Sequence, residues 1–254
     1  MKLTFLGTGT SQGVPVIACK CRVCRSADSR DRHLRTSALV ATDDGHNILF
    51  DIGPDFREQM LREQVDHLDA ILITHAHRDH VGGLDDIRAL NYVQRRKMDI
   101  FANEPAVTAI KHDYYYIFAP HLYPGLPEAD LTTVGDEQFV AAGQTVVPIH
   151  AMHKDLPVLG FRIGPLAYIT DANYIAPAEL EKLRGVRVLV VNALRHEKHF
   201  SHFCLSEALE VIATVEPQRA YLTHVSHEMG LYAEVAPTLP HNVTIATDGL
   251  KIEI

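Results

Sequence analysis

The densest chemistry in this 254-residue chain lies at His75-Ala76-His77-Arg78-Asp79-His80, where four residues able to ligate a metal fall within six positions. His75 and His77 stand two apart, so an extended backbone turns both imidazoles to one side. Asp79 and His80 follow where Gly82-Gly83 signals a turn, and a change of direction there swings them toward a second point. The spacing offers imidazole nitrogens to one metal ion and a carboxylate plus an imidazole to a neighbouring one. A second cluster, Cys19-x-Cys21-x-x-Cys24, puts three thiols within six residues, too tight for a set of disulfides. As thiolates these three fill three corners of a tetrahedral zinc site. Cys204 stands alone and reads as a small buried hydrophobe.

Such groups need elements to hold them. The histidine cluster follows directly on 70–74 (AILIT), a short apolar run of the kind buried in mid-sheet. Further strands are expected at 2–7, 37–42, 47–51, 145–149, 160–163, 166–170, 186–191, 220–223 and 243–246, with Asp43-Asp44-Gly45 turning the second into the third. Helical spacing is read at 54–65, 84–90, 177–184 and 205–215, the last stopped by Pro217. The least regular stretch, near 111–136, holds Tyr114-Tyr115-Tyr116, His121 and Tyr123, and reads as an inserted segment covering a pocket. The three tyrosines there are expected in the core. The alternation suggests one domain over 1–254, with sheets packed together and helices outside.

Composition narrows the functions. Lys+Arg 24 against Asp+Glu 32 leaves a formal charge of -8, which argues against a non-specific grip on nucleic acid. No apolar run is long enough to span a membrane, and the opening MKLTFLGTG lacks a signal-peptide pattern, so a cytoplasmic location is expected. Sixteen histidines beside no tryptophan are out of line with an ordinary globular chain.

His75-x-His77-x-Asp79-His80 resembles the signature of the metallo-β-lactamase superfamily. That resemblance implies an α/β chain folded as a four-layer αββα sandwich, with a dinuclear metal site at one edge. It also implies three further ligands at strand ends: His153, Asp171 and His224. His75, His77 and His153 would hold one ion, Asp79, His80 and His224 the other, and Asp171 would bridge them. Cys19-x-Cys21-x-x-Cys24 together with His224-Val225-Ser226-His227 resembles the PhnP family of phosphodiesterases, which implies a structural zinc on Cys19, Cys21, Cys24 and His227. PqqB and RNase Z are more distant relatives, and no basic, glycine-rich arm of the RNase Z type is present. The same resemblance aligns His202 with a histidine that contacts phosphate and assists leaving-group departure, although His196 and His199 compete for the assignment. Asp51, at the end of the third strand, is suited to orient a ligand histidine from behind.

The expected activity is hydrolysis of small linear or cyclic ribose or nucleotide phosphodiesters. A hydroxide shared by two divalent ions (manganese or zinc) would attack, with Asp79, Asp171 and His202 counted as catalytic. A homodimer is expected because relatives commonly pair. The competing readings are a lactonase or thioesterase, and a non-catalytic PqqB-like carrier, since fold alone does not fix the reaction.

Overall fold

The computed structural model describes residues 1–119 and 125–254. The first half supplies β1 (Lys2–Gly7), β2 (Ser37–Ala41), β3 (Asn47–Phe50), β4 (Ala70–Leu72), β5 (Met98–Ala102) and β6 (Ala129–Thr133). Between these strands lie α1 (Phe56–Glu63), α2 (Arg78–Val81), α3 (Ile87–Gln94), α4 (Glu104–Asp113) and α5 (Tyr115–Phe118). The second half runs β7 (Phe139–Ala141), β8 (Gln144–His153), β9 (Leu156–Ile163), β10 (Leu166–Ile169), β11 (Tyr174–Ile175), α6 (Pro177–Glu181), β12 (Val188–Asn192), α7 (Leu205–Val215), β13 (Arg219–Thr223), α8 (Tyr232–Val235) and β14 (Val243–Ile245). β15 (Lys251–Glu253) returns to pair antiparallel with β1. One sheet has the order β15-β1-β2-β3-β4-β5-β6, the other β11-β8-β9-β10-β12-β13-β14 with β7 on β8.

Period-2 alternation explains the layers, because successive side chains of a strand face opposite sides. In β3 and β12, Ile48, Phe50, Val188 and Val190 point between the sheets, where the Phe50 and Tyr168 rings stack at 4.5 Å. Leu49 and Ile71 point outward against Phe56 and Met60 of α1 and Ile110 of α4. Leu189 and Val191 face Leu205, Ala208 and Ile212 of α7. Strands apolar on both faces can only sit in the middle of such a stack, and each fully buried Ile, Leu, Val or Phe contributes about 1.5–3 kcal/mol. The result is the expected αββα sandwich.

The segment expected as an insertion near 111–136 contains, among its described residues, two helical stretches and one strand of the first sheet. Residues through Asp113 complete α4, and Ala129–Thr133 pairs in parallel with β5 as the edge of the first sheet. An edge strand needs only one apolar face, so its polar residues hid it from a search for apolar runs. Of the tyrosines, Tyr114 is buried in the core and Tyr116 is half-buried against it, while Tyr115 is exposed and departs from the core expectation. His121 and Tyr123 lie outside the described residues.

Candidate metal centre

β3 to β6 run parallel to one another, as do β10, β12, β13 and β14. Their carboxyl ends are where loops are free to leave the sheet and converge. Asp51 follows β3, His75 follows β4, Asp171 follows β10, and His224 follows β13. His153 is the last residue of β8, which extends four residues beyond the expected strand 145–149. Asp51, Asp171 and His224 all adopt left-handed backbone conformations, with φ of 57°, 55° and 56°. Non-glycine residues pay of order 1 kcal/mol for that, and the turn it makes aims each side chain back over its sheet. Gly53 lets this packing close: a Cβ there would meet the Asp79 carbonyl oxygen at 2.2 Å.

The donors form two groups. His75, His77, His153 and Asp171 each place a ligand atom within 4.8 Å of the others, and so do Asp79, His80, Asp171 and His224. Asp171 belongs to both. His77 alone among these is exposed. Asp171 Oδ2 lies 3.7 Å from His75 Nε2, while its Oδ1 lies 3.4 Å from His80 Nε2 and 3.0 Å from His224 Nδ1. His75 Nε2 and His80 Nε2 are buried without any hydrogen-bond partner. Two orphaned imidazole nitrogens facing ionised carboxylates fit a pair of divalent cations, because a buried polar atom otherwise forfeits its interactions with water.

The imidazoles of His75, His80 and His153 are held from behind through Nδ1, whereas His224 Nδ1 faces both Asp171 and Thr36. Asp51 Oδ2 lies 2.7 Å from His80 Nδ1, and Thr74 Oγ1, 3.0 Å from His75 Nδ1, donates to the same oxygen at 2.9 Å. His153 Nδ1 donates to the Ser201 carbonyl at 2.7 Å, and His224 Nδ1 lies 3.1 Å from Thr36 Oγ1. A proton held on Nδ1 leaves the Nε2 lone pair free to ligate. Thr74, Thr36 and Ser201 went unnoticed in the sequence; hydroxyls and carbonyls carry no spacing signal.

Charges are set by burial against neighbours. Burial opposes ionisation of Asp171, yet His224 and His80 hold its carboxyl well below the usual range. Burial also opposes a charge on His80, but Asp171, Asp79 and Asp51 lift its pKa well above the ordinary value. Burial, reinforced by His80, pushes His75 well below it, and burial lowers His224 to about 4. The ionised Asp171 and the neutral His75 and His224 are in the protonation states a cation requires, whereas His80 would give up its proton as an ion binds.

His202 Nε2 stands 3.4 Å from Asp171 Oδ2, and its ring stacks on His224 with centroids 5.0 Å apart. His199 sits behind it, the two Nδ1 atoms 3.1 Å apart, while His196 Nε2 bonds the Met229 carbonyl at 2.9 Å. Of the three histidines, His202 is the one turned toward Asp171. Far along the chain, Cys19, Cys21, Cys24 and His227 also gather within 4.8 Å. His227 Nδ1 lies 3.4 Å from Cys19 Sγ and 3.3 Å from Cys21 Sγ. The Cys24 amide and His227 lower Cys21 to about 6, whereas burial pushes Cys24 up to about 11. Three sulfurs and one nitrogen suit a single tetrahedral zinc, whose charge would draw the proton from Cys24 against the effect of burial.

Residues 46–225 match the Beta-lactamase superfamily domain. The chain belongs to that superfamily. This superfamily chain is 42% identical over 253 residues to an octanoyltransferase of Porphyromonas gingivalis, across 99% of its own length and 51% of the relative's. It therefore spans about half of that protein. The crystal structure of a diphosphatase from the PhnP family superposes with a TM-score of 0.92 at 38% identity, covering 100% of this chain and 97% of that one. Zinc-bound PqqB from Methylobacterium extorquens superposes with a TM-score of 0.81 at 18% identity, covering 100% of each chain, which shows a shared fold. The chain is a metallo-β-lactamase superfamily protein similar to the PhnP-family diphosphatase. Among the described residues no helix is long and apolar enough to cross a membrane.

Proposed function

We propose that the protein is a dinuclear-metal phosphohydrolase that cuts phosphodiester or diphosphate bonds in small ribose- or nucleotide-type molecules. The observation carrying this is the position of Asp171, shared by two donor groups and faced by the Nε2 of a histidine outside both. The 38% identity to a PhnP-family diphosphatase over the whole chain supports it.

In this reading His75, His77 and His153 would hold one ion and Asp79, His80 and His224 a second, with Asp171 available to both. The ions would supply Lewis acidity at the phosphoryl oxygens and a water of lowered pKa. Asp51 and Thr74 keep His80 and His75 oriented, so the donors are set before substrate arrives. His202 is the group that gives a proton to the departing oxygen from Nε2. Its Nδ1 contacts with Ser201 Oγ and His199, both 3.1 Å, fix the ring's orientation. Cys19, Cys21, Cys24 and His227 hold a separate, structural zinc.

Manganese-loaded protein is expected to hydrolyse bis(p-nitrophenyl) phosphate, and Asp171→Ala to abolish that activity. His202→Ala should reduce kcat by about 10²–10⁴-fold on an alkyl phosphodiester. The same variant should lose far less on the nitrophenyl ester, whose phenolate departs without a proton. No turnover with any divalent metal would end the proposal. The octanoyltransferase name of the half-matching relative favours a second reading, hydrolysis of an acyl thioester or lactone, and a panel of both run beside the phosphodiester separates the two.

A further inference from the structure

A cleft of about 810 Å³ opens beside the donor cluster, between the loop carrying Val16 and Ile17 and helix α2, with Asp79 on its wall. Two guanidinium groups line it, those of Arg35 and Arg78. Ile17 forms an apolar lip and is 95% exposed, a position with no packing role of its own. Arg35 precedes Thr36, whose hydroxyl touches His224, so the backbone that supports the cluster also delivers Arg35 to the cleft. Arg35 Nε lies 3.0 Å from Asp55 Oδ2 yet makes no hydrogen bond, the same oxygen accepting the Arg35 amide at 2.8 Å.

Arg78 is the residue before Asp79, and its side chain is 68% exposed but not free. Its Nη1 donates to Tyr114 Oη at 2.8 Å, and that hydroxyl donates onward to the Val81 carbonyl at 2.9 Å. The guanidinium carbon also sits 5.3 Å from the Tyr114 ring centroid. A long side chain normally samples many rotamers; here a buried tyrosine holds it over the cleft mouth. Asp113, 3.8 Å from Nη2, balances its charge without using up five N–H donors.

We propose that Arg35 and Arg78 form the subsite for the second, non-scissile phosphate of a diphosphate-bridged substrate, with the organic group beyond it resting on Val16 and Ile17. The proposal builds on the phosphohydrolase reading above. The ions held by the donor cluster would take the phosphoryl group to be cleaved, and in a diphosphate the neighbouring phosphate lies one bridging oxygen away, on the side where Asp79 adjoins the cleft. A planar guanidinium matches phosphate oxygens two at a time, which an ammonium cannot do. Tyr114 is a positioning residue acting through Arg78.

The test compares ADP-ribose, a diphosphate, with bis(p-nitrophenyl) phosphate, which has one phosphorus, using the metal-loaded full chain. Arg35→Gln and Arg78→Gln are expected to lower kcat/KM for ADP-ribose at least tenfold, mainly through KM. They should shift its ratio to that of the single-phosphate ester by a similar factor. Tyr114→Phe, which keeps the ring, should move the ratio several-fold the same way, and Arg78→Lys should restore part of it. A ratio unchanged in both glutamine variants, with melting temperatures intact, overturns the subsite. Wild-type protein that cleaves the nitrophenyl ester but not ADP-ribose also overturns it while leaving the phosphohydrolase reading standing. Cleavage of neither removes both.

Discussion

Replacing Asp51 by asparagine isolates the part the buried carboxylate plays in metal binding. Its Oδ2 faces His80 Nδ1 at 2.7 Å and accepts from Thr74 Oγ1 at 2.9 Å, while Oδ1 accepts the Thr74 amide at 2.8 Å. In the variant the amide oxygen can keep the Thr74 N–H, which leaves the NH₂ pointing at a ring N–H and a hydroxyl proton. Donor meets donor, so His80 moves its proton to Nε2, the atom that must carry a lone pair to ligate. Thr74 Oγ1 keeps only the longer of its two contacts, 3.1 Å to the oxygen at the Oδ1 position, and His75 leans on Thr74 at 3.0 Å. Loss of such a supporting carboxylate lowers metal affinity about 10- to 100-fold, or about 1.4–2.8 kcal/mol. Folding should survive, because burial already pushes the Asp51 carboxyl above its ordinary pKa and a neutral amide escapes that penalty. Chelator-stripped Asp51→Asn, titrated with manganese in a calorimeter beside wild type, should show the weakened site and a similar metal-free melting temperature. Affinity within twofold of wild type, in a protein that melts normally, would refute the assignment.

Cys21→Ser should release one zinc per chain under mild chelation, read by elemental analysis; retention of all zinc would show that the four-residue cluster holds none. Asp248 gives a pH-dependent case. Burial raises its carboxyl from 3.8 to about 6 while Thr8 Oγ1 and the Leu34 amide donate to it at 2.7 Å each. A folded pKa above the unfolded one means the folded state favours the protonated form, so stability falls as pH rises from about 4 to 6 and stays reduced above. A shift of about two units corresponds to about 3 kcal/mol. Asp248→Asn is therefore expected to be more stable than wild type at pH 8 and equal to it near pH 4, by urea denaturation; a less stable variant at pH 8 would contradict this.

The strands that carry the site were legible because they are apolar on both faces and end in turn residues, as 70–74 and 166–170 do. Their recognised ends place His75, Asp171 and His224 just beyond strands, and the structure gathers those three residues into the donor cluster. β7, β11 and β15, two or three residues long, were not legible, whereas the equally short β4 and β14 were, because they belong to the longer apolar or β-branched runs 70–74 and 243–246. β5 was missed for a different reason. Met98–Ala102 alternates, but a helix on one side and polar Lys97 and Asp99 around it blurred the boundary. At the site, residue types with strong ligand chemistry announced themselves, whereas the threonines and the Ser201 carbonyl that orient them did not. Nor did Arg35, whose relevance comes from a cleft between segments distant in sequence.

That cleft also gives the thiol cluster a reach beyond local stability. Cys19 donates its amide to the Val16 carbonyl at 3.0 Å, and Cys24 Sγ accepts the Val16 amide at 3.3 Å, so the cluster fixes the residue at the cleft's lip from both directions. The fourth member, His227, lies three residues beyond His224 of the donor cluster. Between them Val225 bonds the same N-terminal loop twice, donating to the Thr8 carbonyl at 2.9 Å and accepting from Thr10 at 3.1 Å. Gly9 lets the same loop pack on its other neighbour, where a Cβ would stand 2.8 Å from that of His33. One short stretch, 224–227, thus anchors the donor cluster at one end and the thiol cluster at the other. Loosening the thiol cluster would free Val16 and Ile17 while leaving His224, held by its own strand and Thr36, in place. The two clusters divide the work, one fixing where the bond is cut and the other shaping what can lie beside it.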